Sequence, residues 1–126
     1  MTDKNSCCCS ADAAMVLACS GASNVGQLTN EVAKRLNAKG MANFFCVAGI
    51  GANIDGMVES IRATNKVLVL DGCSAQCAKK CMDRAGLSDY AHLVVTDLSI
   101  EKNHDFTLAN ADIDRLLSAS QRTMNF

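Results

Sequence analysis

Short, almost continuously apolar runs alternate with amphipathic stretches from residue 14 to the C-terminus, and this alternation limits the folds open to the chain. Residues 14–18, 43–48, 66–70 and 91–96 read as strands, because apolar side chains at successive positions leave neither face of the pleat for water. Residues 25–38, 54–63, 75–85 and 112–120 carry the apolar spacing of helices that cover such strands. Strands buried on both faces and separated by helices form a parallel sheet, joined by right-handed crossovers with helices on either side. The expectation is an α/β fold: a single-domain three-layer sandwich with a small doubly wound parallel sheet, Rossmann- or flavodoxin-like. Helix punctuation agrees, with Ser23 or Asn24 as the first N-cap, Lys39-Gly40 as that helix's close and Gly86 as the stop after the third helix.

A domain over residues 13–126 is long enough for this architecture. With 126 residues in all and 49% hydrophobic content, the chain buries roughly two thirds of its unfolded surface, so the core needs no metal to hold it. Residues 1–12 are small and polar apart from Cys7, Cys8 and Cys9, and read as a flexible cysteine-rich arm. A net charge of -1, one tyrosine and four phenylalanines supply neither a basic footprint nor a stacking platform, which excludes nucleic acid as a partner.

What eight cysteines mean depends on compartment. The apolar stretch 13–19 is too short to span a membrane and lacks the basic start of a signal peptide. Val16-Leu-Ala-Cys19 has the outline of a lipoprotein cleavage box, but Asp3, Asp12 and three cysteines precede it, so neither lipid attachment nor a membrane partner is expected. The expected location is cytoplasmic, where a reducing environment leaves thiols free to bind a soft metal.

Threaded onto the alternating order, Cys19 falls at the carboxyl end of the first strand and Cys46 in or near the end of the second. Cys73 lies just beyond the third, and Cys77 one turn into the helix that follows. One rim collects all four, and in open parallel sheets that rim holds the ligand crevice and the positive ends of helices. Zinc prefers four thiolates in closed tetrahedral sites, so the set is a candidate metal site. Its net negative charge would be offset by helix N-termini and by Lys79 and Lys80. Cys81 shares a helix face with Cys77 one turn deeper and reads as packing. Zinc-finger C-x2-C pairs are absent, so spacing alone does not identify the metal. In the arm, neighbouring thiols would form strained disulfides and Cys7 with Cys9 an easier one. Capture and hand-off of a soft metal and an untuned oxidisable tail both stay open for it.

Several ordered motifs carry a resemblance. Cys19-Ser-Gly, Ser23-Asn-Val-Gly-Gln27, Cys46-Val-Ala-Gly-Ile-Gly-Ala52, Asp71-Gly-Cys73, Cys77-Ala-Lys-Lys80 and Val95-Thr-Asp-Leu98 resemble the DGC domain family, named for its Asp-Gly-Cys motif, over about residues 14–118. The resemblance implies zinc binding through the family's four shared cysteines, which correspond to Cys19, Cys46, Cys73 and Cys77. It implies no reaction, because the family's biochemical activity is not established. The arm and Cys81 lie outside the pattern.

Other chemistry finds less support. The strand, small-residue loop and helix start from Cys19 to Gly26 suit a cysteine phosphatase, but that chemistry needs an arginine six positions after the nucleophile, and Val25 stands there. Gly49-Ile-Gly51 lacks the third glycine of a dinucleotide site and the lysine of a phosphate loop, and reads as a tight turn. Asp71 and Asp97 follow apolar strands as caps or as acceptors beside the rim. His92 opens the fourth strand and is expected at the opposite rim, and His104 reads as a solvated loop residue. The functional expectation is a zinc-binding protein with a cysteine-thiolate site at the carboxyl rim, engaged in metal binding or handling. The alternative is a thiol-dependent enzyme or redox sensor with Cys19 as nucleophile and Cys73 or Cys77 resolving it. A metal ion is the expected partner. Self-association and an unidentified protein partner stay open.

Overall fold

The structure, a computed structural model, describes residues 13–126. Strands β1 (Ala14–Ala18), β2 (Asn43–Phe45), β3 (Lys66–Asp71) and β4 (Ala91–Val94) form one sheet in the order β2-β1-β3-β4. All pairings are parallel, with Val16 level with Phe44 on one side and Leu68 on the other. Successive residues of the central strands point to opposite faces, and both faces are covered. Val16, Leu68 and Leu70 pack with Val25, Val32, Ile113 and Leu116 from α1 (Asn24–Ala38) and α5 (Asn110–Met124). Leu17, Val67 and Val69 pack with Ile50, Ile61 and Met82 from α2 (Val47–Gly51), α3 (Asp55–Arg62) and α4 (Cys77–Arg84). The result is a three-layer α/β sandwich of the flavodoxin-like kind, and each fully buried leucine or valine in its middle layer contributes about 1.5–3 kcal/mol.

Four element boundaries differ from the sequence reading, each for a local reason. β2 is an edge strand whose last pair is Leu17 with Phe45. Beyond that pair the chain turns helical instead of staying extended to residue 48, which drives Ile50 into the core. Cys46 thus stands at the N-cap of α2, not in a strand. Gln76 sits in the left-handed region at φ 52, so α4 starts at Cys77, and Cys77 is its first residue instead of lying one turn inside. β4 gives way after Val94 to a 3-10 turn over Val95–Leu98, in which Thr96 donates its backbone N–H to Gly72. α5 extends past both ends of residues 112–120, by two residues at its start and four at its end, where Met124 is still buried.

The expected caps are in place. Ser23 Oγ accepts the Gly26 N–H at 3.0 Å, and Gly40 (φ 73) and Gly86 (φ 79) follow their helices in the left-handed conformation. Among the described residues no helix is long and apolar enough to cross a membrane. The arm over residues 1–12, with Cys7, Cys8 and Cys9, lies outside the described residues.

Candidate functional site

At the carboxyl rim the chain leaves β1 for α1 on one face and leaves β3 for α4 on the other, and the divergence opens a crevice between the two strand ends. Glycine backbones make that crevice narrow. A Cβ on Gly26 would lie 2.5 Å from the Gly21 carbonyl oxygen, and one on Gly72 would lie 2.8 Å from the Gly26 nitrogen. These contacts draw the loop after β1, the first turn of α1 and the end of β3 together. The cleft they leave, about 250 Å³, is lined by Cys19, Cys73 and Cys77 together with Gly21, Gly72 and Lys102. A second cleft of about 350 Å³ lies against the edge strand and is apolar, with Phe44, Phe45 and Val47 beside Cys19 and Cys46. Cys19 borders both.

Three of the four expected ligands therefore share one cleft, and Cys46 reaches only the neighbouring one. All five described cysteines are free thiols, with Cys46 and Cys77 exposed and the others half-buried. Among the described residues no group of three or more cysteine, histidine or acidic side chains stands assembled to hold a metal ion. The donor chemistry suits zinc, since these are soft thiols from three separate elements on one rim, but the thiols would have to draw together to grip it.

Each thiol has a distinct setting. Cys19 continues the ladder past β1 by donating its N–H to Leu70, and its Sγ lies 3.7 Å from Thr29 Oγ1. The fully buried Thr29 hydroxyl donates to the Gly26 carbonyl at 2.6 Å and accepts the Ser20 N–H at 3.1 Å. With its single proton committed, that oxygen receives the Cys19 thiol as an acceptor. Cys73 meets the Lys102 ammonium, Nζ to Sγ 3.6 Å. Cys81 packs against the core below the sheet and lines a further cleft with Lys80 and Arg84. Burial pushes the Cys81 thiol above its ordinary value, the negative charges of Cys77 and Asp71 push the same way, and Arg84 opposes them.

Asp71, only 1% exposed, organises the start of α4 from the strand. Its two oxygens accept the backbone N–H groups of Ala78 (2.8 Å) and Lys79 (3.0 Å), and Oδ2 also meets His92 Nε2 at 2.9 Å. The carboxylate thus caps the helix that carries Cys77. His92 at the opposite rim is a corrected expectation: β4 starts level with Leu68, so His92 sits opposite Val69 and its ring reaches the carboxyl end of β3. Asp97 and His104 are exposed and line none of these clefts. The expected counter-charges also differ. Lys79 pairs with Asp83 at 2.7 Å and Lys80 lines the further cleft of Cys81 and Arg84, leaving Lys102, among the described residues, as the cation lining the cysteine cleft. Sequence reasoning missed Thr29 and Lys102 and weighed Asn24 only as a helix cap, because the roles of all three come from tertiary contacts.

The sequence profile of the DGC domain family matches residues 15–120, a span that includes the whole sheet apart from Ala14 and all four rim cysteines. The anaerobic and virulence modulator AnvM of Pseudomonas aeruginosa is 34% identical over 110 residues, covering 87% of this chain and 84% of the relative. No solved structure matches the chain significantly.

Proposed function

The chain belongs to the DGC domain family, and from that premise we propose that its rim cysteines bind zinc and that its role is metal binding or handling. The observation that carries this reading is the convergence of Cys19, Cys73 and Cys77 on one cleft from β1's end, β3's end and α4's first residue. Cys46 would complete a four-thiolate set from across Cys19. Bound zinc would supply the positive charge that holds four thiolates together, and a closed set leaves no position for a substrate, which favours binding over hydrolysis. The chain's own part is to hold the thiols at one rim through the glycine contacts, to fix Cys77 through Asp71 and to place Lys102 beside Cys73. The same reading takes the metal ion as partner and the reducing cytoplasm as compartment.

The test is metal content after anaerobic purification. Near-stoichiometric zinc, four thiols shielded from alkylation until a chelator is added, and loss of the metal in Cys73→Ser support the reading. Metal-free protein whose rim thiols all alkylate at once overturns it.

A redox sensor with Cys19 as nucleophile is the second reading, favoured by the name of the relative, an anaerobic and virulence modulator. It requires one fast thiol at Cys19 in metal-free protein and a Cys19–Cys73 or Cys19–Cys77 disulfide when a peroxide takes the two electrons. The thiol's role as donor toward Thr29 Oγ1 gives Cys19 no base in the resting arrangement.

A further inference from the structure

Lys102 is the basic side chain lining the cleft of Cys19, Cys73 and Cys77. A surface lysine on a free loop would sample many positions, but the backbone carrying this one is clasped. Asn24, 8% exposed at the first position of α1, donates its backbone N–H to Asn103 O at 3.0 Å and its side-chain amide to Glu101 O at 2.8 Å. Its Oδ1 accepts the Asn103 N–H at 2.6 Å. One buried amide side chain and its own backbone thus grip the residues on either side of Lys102. Downstream the loop is tied to itself, since Asn103 Oδ1 accepts from Asp105 N–H and Asp105 Oδ1 from Thr107 N–H, and upstream Ile100 is buried in the core. The N-terminal backbone N–H of α1, which has no partner within its helix, is satisfied by the same clasp.

The charge delivered this way is not held in an ion pair. Asp71 is the acid lining the cleft, and its oxygens point to the α4 amides and His92, so it forms no ion pair with Lys102. Among the described residues Lys102 has no carboxylate partner, and its recorded contact is the Cys73 sulfur at 3.6 Å.

We propose that Lys102, positioned by the Asn24 clasp, sets the charge specificity of this thiol cleft, so that negatively charged thiol-seeking ligands reach Cys73 in preference to neutral ones. This deepens the thiol-site reading above by naming the class of ligand, and it does not depend on zinc being the metal. A cation beside the sulfur lowers the energy of an approaching anion and leaves a neutral reagent of the same size unaffected. Once a ligand or metal complex is bound, the same ammonium balances its excess negative charge.

The experiment compares iodoacetate with iodoacetamide on chelator-treated, reduced protein, with rates read at each cysteine by peptide mass spectrometry. The same thiolate attacks the CH2 carbon of either reagent and displaces iodide, so their rate ratio divides out the thiol's protonation and accessibility and reports the local field. In Lys102→Met the ratio at Cys73 should fall about fivefold, the Boltzmann factor for unit charges about 4 Å apart in bulk water. Lys102→Arg should keep the wild-type ratio, high salt should flatten the difference, and the ratio at Cys46 should not move in any variant. Asn24→Ala should lower the Cys73 ratio by freeing the loop. Lys102 is exposed, so its variants keep the fold and decide the question even if Asn24→Ala fails to fold. An unchanged Cys73 ratio in Lys102→Met overturns the proposal. Failure of the zinc reading would appear instead as protein purified without metal, with these ratios as predicted.

Discussion

Asp71→Ala removes the group that joins strand β3 to helix α4, and the structure sets the size of the effect. The substitution removes a buried carboxylate and leaves Ala78 N–H, Lys79 N–H and His92 Nε2 without the partner they share. Loss of a helix N-cap costs about 1 kcal/mol, and each net hydrogen bond to a charged group is worth about 1.5–3 kcal/mol. The two helix amides lie near the rim and regain water in part, so the expected loss is about 3 kcal/mol, near the low end for breaking a buried charged cluster. Asp71→Asn should cost less, because one oxygen still accepts from the helix while the new amide faces a second donor. Urea denaturation gives the values, with an unchanged m confirming that the fold is kept. A double-mutant cycle with His92→Ala should yield a coupling of about 0.5–1.5 kcal/mol for the contacting pair. Alkylation of Cys77, the first residue of α4, should change alongside as that turn frays. A loss below about 1 kcal/mol in Asp71→Ala, or strict additivity with His92→Ala, would refute the claim that this carboxylate anchors the helix.

Further outcomes follow from single contacts. Gly72→Ala places a methyl group 2.8 Å from the Gly26 backbone nitrogen, which no rotamer change can relieve, so it should cost about 1–3 kcal/mol in thermal denaturation and spread Cys73 from Cys19. Thr29→Val keeps the side-chain volume but removes the acceptor for Ser20 N–H and the Cys19 thiol, for an expected cost of about 1–3 kcal/mol in the same assay. Cys81 is held protonated by burial, so its alkylation should lag behind that of exposed Cys77 near neutral pH. The linkage has a definite sign. With the folded value raised, stability is intact below the ordinary thiol value near 9.0 and falls as pH climbs from there toward the folded value, because the unfolded chain ionises first. Cys81→Ala should remove that part of the alkaline loss in a pH series of denaturation curves.

The sequence made the layered fold legible because apolar side chains at successive positions of residues 14–18 and 66–70 can be buried only between two helical layers. Convergence of Cys19, Cys73 and Cys77 was legible for a related reason: strand ends in a parallel sheet share a rim. The remaining features depend on register and stagger, which composition does not encode. β2 stops where its pairing with β1 stops, so Cys46 became a helix cap. His92 reached Asp71 because β4 begins partway along β3. Lys102 came to Cys73 through the contact between Asn24 and Asn103, separated by 79 positions.

The separation of Cys46 from the other three thiols leads to unequal roles, and that inequality can be measured. Cys19, Cys73 and Cys77 line one cleft, whereas Cys46 is exposed across Cys19 in an apolar cleft. If zinc binds as proposed, the three thiols of the shared cleft supply the first ligands and Cys46 closes the set. Zinc accepts three protein ligands with water in the fourth position, so Cys46→Ser should still take up stoichiometric zinc, held more weakly in competition with a chromophoric chelator. Cys73→Ser loses a thiolate of the shared cleft, the one that Lys102 contacts, and should fail to retain the metal. Equal losses in the two variants would mean that the rim rearranges into a symmetric four-thiolate cage on binding, and that the two clefts at Cys19 do not dictate the order in which the ligands engage.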